Sequence, residues 1–526
     1  MKRFTRFALA CSIVVAMVSI AAAQTPQPVV RMGDWVEIGN EVFMNFIAST
    51  GITYRATHNF EFEDEVQDRA NSRNPANTSN QDQESDLLYQ ETRFGADFRY
   101  QKNLRMRVLF ENQTTMDGNL IDDRTNTANP GGTDVFGRPA GNEGESTNLE
   151  RFWLEYAFAG TPLRMRVGAD LWRSDQVGLL GDDDPRFALY LDLGPKKEFE
   201  LGFWAVIQTE ASRIGRVNDN DDTYYVFHLA YKGMKPHQFG LDMAYFRFRN
   251  LGGTVAGDGQ KFDSFLIMPS WSGVFGPITA VLQFNFLAGS ADSTNATGID
   301  YDIFAWSVVA LAEANLGIVR PFVGIFYGSG DDDPTDSDLN GFHTLPQREI
   351  SLTSGGGRGI LSPLDVSVAF GNRDVVTPAR AAGPFGGQEF SHTVGNPWND
   401  RIGNTSHAGI NTAYSNPGTL MIPVGVKIYP TKGHQVTLFY IYRGMTESAL
   451  IEAALGVDVG KSLYHDLGVV WQWTLNSHFD IRLAGQVVLP GDGSKDIAET
   501  VTCPDGSACQ GEDPALEGEI RFRARF

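Results

Sequence analysis

The feature that most constrains this chain is a period-two alternation that sets charge and hydrocarbon on opposite faces of one short segment. In 104–111 one face carries Leu104, Met106, Val108 and Phe110, and the other Arg105, Arg107, Leu109 and Glu111. The same grammar runs through 93–100, 151–156, 163–170, 246–249 and 480–483. Successive side chains of a strand point to opposite sides, so each segment reads as a β-strand with one face in oil and one in water. An Arg on the oil face costs about 2–4 kcal/mol at mid-bilayer, so the charged faces are expected to turn together into a lumen. That expectation lines an anion pathway with Arg93, Arg99, Arg105, Arg107, Arg151, Arg164, Arg166, Arg247, Arg249 and Arg482.

From residue 50 onward such segments recur with turn residues between them. The strands are expected at 50–62, 87–100, 104–114, 149–159, 163–173, 187–193, 198–211, 223–232, 237–250, 260–271, 277–290, 299–312, 318–328, 418–429, 435–446, 461–475, 478–489 and 517–526. That makes eighteen, with sixteen as the alternative count. Connectors after even-numbered strands are tight, as in Gln101-Lys102-Asn103 and Asn476-Ser477. Connectors after odd-numbered strands are long and polar, with 63–86, 115–148, 329–417 and 490–516 the extremes. Short turns on one side and long loops on the other mark an antiparallel transmembrane β-barrel with periplasmic turns and extracellular loops. In hydrocarbon every backbone N–H and C=O needs a protein partner, so such a sheet must close. Trp153, Tyr156, Trp172, Trp204, Tyr245, Trp306, Tyr440, Trp471 and Trp473 are expected to supply interfacial girdles.

The ends agree with export. Lys2, Arg3 and Arg6 precede an apolar run and Ala21-Ala22-Ala23, the pattern of a cleaved secretory signal over 1–23. Residues 24–49 then form an N-terminal periplasmic segment and 50–526 the barrel. At the other end Arg521, Arg523 and Arg525 alternate with Phe522, Ala524 and Phe526. A last strand ending on an aromatic resembles the terminal signal of Gram-negative barrels, so Phe526 is expected to engage the barrel-assembly machinery. Location in the bacterial outer membrane makes lipid and lipopolysaccharide the surrounding partners.

Removing three basic residues with the signal leaves a net charge of (43 − 3) − 64 = −24, which argues against nucleic acid. The acids gather in loop runs such as Asp182-Asp183-Asp184 and Asp331-Asp332-Asp333, while the alternating faces are Arg-rich. A basic wall beneath an acidic collar is the result. The competing reading of each Arg is a brace paired with a lumen acid such as Asp97, Glu111, Glu155 or Asp170. Cys503 and Cys509 bracket a short exported loop and are expected to form a disulfide. Asp331, Asp333 and Asp336 are weak metal candidates, because no Gly or Glu completes a calcium-loop spacing. No cofactor is expected. His343, His392, His407 and His465 have no nucleophile motif beside them, so an enzyme is the minor alternative, and a structural or receptor barrel using its long loops the other.

The Arg-rich hairpins at 87–114 and 149–173, with the run Gly328-Ser-Gly-Asp331 through Pro334, Asp336, Phe342 and Leu345, resemble the alginate-export family of outer-membrane barrels. The likeness covers the chain from about residue 87. It implies a monomeric eighteen-stranded fold, a basic lumen, lumen roles for Arg93, Arg105, Arg107, Arg151, Arg164 and Arg166, and an acidic polysaccharide as cargo. The function expected is a passive channel for anionic solutes, small or polymeric, narrowed by the Gly-rich loop 329–417.

Overall fold

Short connections leave consecutive strands no partner but each other, and a meander results. The computed structural model describes residues 34–58, 85–115, 147–169, 172–173, 175, 177, 181–182, 185–194, 197–209, 222–251, 260–292, 300–333, 336–342, 418–476, 478–499 and 514–525. The chain runs β1 (Val36–Gly39), β2 (Val42–His58), β3 (Ser85–Tyr100), β4 (Leu104–Thr115), β5 (Thr147–Ala157), β6 (Leu163–Ala169), β7 (Trp172–Arg173) and β8 (Gly181–Asp182). It continues with β9 (Pro185–Leu193), β10 (Phe199–Thr209), β11 (Asp222–Tyr231), β12 (Gln238–Leu251), β13 (Gln260–Phe275), β14 (Ile278–Asp292), β15 (Asp300–Ala314) and β16 (Val319–Gly328). After β17 (Asp338–Leu339) come β18 (Thr419–Ile428), β19 (His434–Gly444), α1 (Ala449–Leu455), β20 (Ser462–Thr474), β21 (Phe479–Pro490), α2 (Asp492–Glu499) and β22 (Ala515–Arg525).

One sheet holds twenty of these strands, and eighteen form a closed antiparallel wall once the short additions β1 and β17 are set apart. Closure is made by β2, which pairs with both β3 and the last strand: Thr53 faces Tyr89 on one side and Arg521 on the other. The tightest turn, Gly276-Pro277, needs a positive φ (57°) that glycine takes without strain.

The first wall strand begins at Val42, inside the segment expected to precede the barrel. Its start is held by β1, a hairpin through Asn40 and Glu41 at positive φ (47° and 64°). The strand expected at 163–173 stops at Ala169, and Trp172–Arg173 pair instead with Gly181–Asp182. Among the described residues, two short helices lie in the long connections. The good helix formers of Ala449–Leu455 and the left-handed Gly456, whose N–H returns to Glu452 O, account for the first. The signal, loop residues 343–417 and both remaining cysteines lie outside the described residues.

Outward positions are apolar all round: Phe94, Leu154, Val167, Phe203, Phe265, Phe284, Val424, Leu467, Leu483 and Phe522 are exposed. Rings gather at both ends of this belt. His237, Trp271 and Phe275, and His434, Trp471 and Trp473, stack at the short-turn end. Trp306 on Tyr327, and His465 beside Tyr440 and Tyr442, stand at the long-loop end. Trp153 and Trp204, expected in these girdles, turn inward instead and are buried. The side chain of Trp172 lies outside the described ones.

Candidate functional site: an arginine-bearing sector of the lumen wall

The inward face divides in two. From β10 to β20 it is packed, with Trp204, Val206, Tyr224, Phe246, Leu266, Met268, Leu287, Ile303, Phe326, Phe439 and Ile441 buried in one cluster. Chain from the long-loop end helps to cover it. Val177 sits in the cluster, Leu339 joins it, and Phe342 packs on Phe326 at 6.5 Å between ring centroids. Buried ionic groups of this half are paired. Lys427 donates to Glu313 (2.8 Å), Arg443 to Asp466 (2.6 Å), and His228 bonds Asp242 (2.7 Å). Gln283 donates to Asp175 and to Asn285, which donates to Ser307.

The other sector comprises seven adjacent strands, β21, β22, β2, β3, β4, β5 and β6. The register places Arg93, Asp97 and Arg99 of β3 on one face with Arg105 and Arg107 of β4. Arg151, Trp153 and Glu155 of β5 and Arg164 and Arg166 of β6 share that face. Arg482 on β21 lies opposite Arg521 on β22, and Arg523 opposite Asp480. Unlike the packed half, this face is partly open: the Arg107, Arg164 and Arg166 side chains are 28%, 33% and 20% exposed.

Some of these arginines are braced. Asp97 accepts from Nε (2.6 Å) and Nη2 (2.8 Å) of Arg107. The buried Glu155 accepts from Nε (3.1 Å) and Nη2 (2.7 Å) of Arg166 and stands 3.6 Å from Arg164, which also reaches Asp192 at 3.8 Å. Asp480 takes Arg523 (3.0 Å) and Arg525 (2.8 Å). Others face like charge. Arg99 and Arg105 are direct cross-strand partners, as are Arg482 and Arg521, an arrangement that is unfavourable without counter-charge or water. The buried Nε atoms of Arg99 and Arg521 have no hydrogen-bond acceptor among the described residues. Arg99 lies on the faces of Trp35 (4.9 Å) and Phe43 (5.0 Å), and Arg105 is exposed. Ladder and brace therefore coexist on one wall.

Arg247 is a correction to the sequence reading. It shares its face with the outward Tyr245, and its ladder partner is Asp263, to which Tyr245 donates at 2.6 Å. Phe246 is the residue that turns inward, at 0% exposure. The position is near the long-loop end of β12, where a charge can face outward without entering hydrocarbon. Arg249 follows the shift of register after Phe248, and its side chain lies outside the described ones.

The Asp-rich run is structural at its start. Ser329 Oγ accepts from Trp306 N and donates to Asn340 O, and Phe342 N donates to Ser329 O. Asp331 is buried, while Asp336 Oδ1 caps the N–H of Asp338 at 2.8 Å. Among the described residues no three His, Cys, Asp or Glu side chains converge as metal ligands. Asp333 is exposed. Cys503 and Cys509, and the pairing expected of them, lie outside the described residues.

A closed eighteen-strand antiparallel barrel, apolar outside and carrying charge within, defines the class as a β-barrel of the membrane-spanning type. No family model matches the chain, and no curated protein matches it. Solved structures do. A BenF-like porin from Pseudomonas fluorescens Pf-5 is similar with 13% identity, 92% of this chain and 98% of that chain covered, and a TM-score of 0.48. Acinetobacter baumannii OccAB2 gives 11%, 92%, 98% and 0.48 in the same order. Pseudomonas aeruginosa OccK2 (OpdF) in complex with glucuronate gives 11%, 91%, 98% and 0.46. At these identities the likeness is one of fold. The resemblance to the alginate-export family receives no specific support from them.

Proposed function

We propose that this protein is a passive channel of the bacterial outer membrane, along whose arginine-bearing wall small anionic solutes, carboxylates foremost, diffuse. The observation that carries the reading is the sorting of the inward face: seven adjacent strands hold the partly open arginines, while the opposite face is packed. A solute taking the open side meets a run of guanidiniums, each able to attract an anion and to release it to the next. The finer version, an acidic oligosaccharide or polymer as in alginate export, is less favoured, because the packed half narrows the lumen. The apolar belt supports contact with lipid and lipopolysaccharide. Export by a cleaved signal over 1–23 and assembly through the last strand complete the reading, and no catalytic group enters it.

The test is the reversal potential of the purified protein in a planar bilayer under a KCl gradient. Anion selectivity is expected, falling in an Arg99→Gln, Arg105→Gln double variant. A cation-selective wild type would overturn the reading while leaving the barrel intact.

A further inference from the structure

We infer that Trp153 is a solute-contacting residue: its indole N–H, on a ring flanked by the Arg107 and Arg166 guanidiniums, donates to the carboxylate of an anion moving along this wall. The inference rests on the channel reading above and names a place where its solute is held.

Trp153 stands on the inward face of β5 and is 7% exposed. Its Nε1 is buried and has no hydrogen-bond acceptor among the described residues. Buried indole N–H groups ordinarily find a partner, and elsewhere this lumen supplies one: Trp204 Nε1 donates to Tyr190 OH at 3.1 Å. The exception lies where the charge is densest. Arg166 lies 4.2 Å and Arg107 5.6 Å from the Trp153 ring centroid. Neither nearby carboxylate serves the indole, since Asp97 is spent on Arg107 and Glu155 on Arg166 and Arg164.

The local backbone keeps the ring's flank free of a side chain. The cross-strand neighbour of Trp153 on β6 is Gly168, at φ +125°, where a Cβ would come 2.1 Å from Phe152 O. Only glycine fits there. The ring is flanked by two guanidiniums that themselves reach lumen solvent, 28% and 20% exposed. A planar carboxylate offers two oxygens, one for the indole N–H and one for a guanidinium N–H. Chloride can accept only at a single centre. The geometry favours carboxylates over halide.

The experiment measures block of KCl current by benzoate in planar bilayers, comparing wild type with Trp153→Phe, which keeps the ring between the arginines and removes the N–H. Folding of the variant is checked by its heat-modifiable gel mobility. The half-blocking concentration should rise about tenfold on loss of a hydrogen bond to a charged group. Benzoate block within twofold of wild type would overturn the inference. An indole 1H–15N spectrum of the wild type gives a second reading that needs no variant. One Nε1–H resonance should move with benzoate and not with chloride, and a spectrum in which none moves overturns the inference as well. A wild type lacking anion selectivity would instead remove the channel reading itself, so the two failures are distinct.

Discussion

Gln283 donates a 2.9 Å hydrogen bond from Nε2 to Asp175 Oδ2, joining residues 108 apart in sequence inside the barrel. Gln283 stands on the wall strand β14, and Asp175 belongs to the connection between β6 and β9. Both side chains are buried. The bond therefore pins a stretch of a long connection against the packed half, beside Val177 in the apolar cluster.

Asp175→Ala should loosen that attachment. The variant removes an acceptor from Gln283, and a buried donor left without its partner costs about 1–3 kcal/mol. The released segment should narrow the lumen less. Single-channel conductance is expected to rise and to become noisier, with thermal stability lowered modestly. A variant with wild-type conductance and noise would show that this connection does not limit the passage.

Outside the barrel, position along the strand decides what a charge costs. Phe284 lies mid-strand on the outward face of β14, six residues from its start at Ile278. Phe284→Arg should cost about 2–4 kcal/mol of folding stability in lipid. Arg247→Ala, at the rim of β12, should change it by about 1 kcal/mol or less. Reversible urea unfolding in phospholipid vesicles measures both. Equal costs at the two sites would mean that the apolar belt is misplaced.

The same contrast explains what the sequence made legible. Where charge alternates with hydrocarbon, as along Leu104–Thr115, inside and outside differ chemically and the strand, its face and its neighbours can all be read. On β10 the signal fades, because Phe203 faces out while Trp204 and Val206 face in, and both sides are apolar. A packed half-lumen therefore looks in sequence like a second lipid face. Aromatic rings suit either face, which is why Trp153 and Trp204 read as girdle residues. Arg247 escapes the alternation rule because at a strand's rim the far side is already polar, so a charge there can face outward. The Gln283 to Asp175 bond has no local pattern at all; only the folded barrel brings the two together.

Deep in the packed half, Lys427 is 1% exposed and donates to Glu313 at 2.8 Å, with Arg320 3.7 Å from the same carboxylate. Lys427→Met removes one cation and leaves Glu313 buried with Arg320 alone. Breaking a buried pair from one side costs about 3–5 kcal/mol, and the remaining arginine should hold the loss near the lower bound. The double variant Lys427→Met, Glu313→Gln removes both charges and should recover most of that loss, because two ions no longer have to be taken out of water. Unfolding free energies of the wild type, both single variants and the double variant form the cycle that checks this. Strictly additive losses would mean that the pair is not coupled and that each side chain is held by other neighbours.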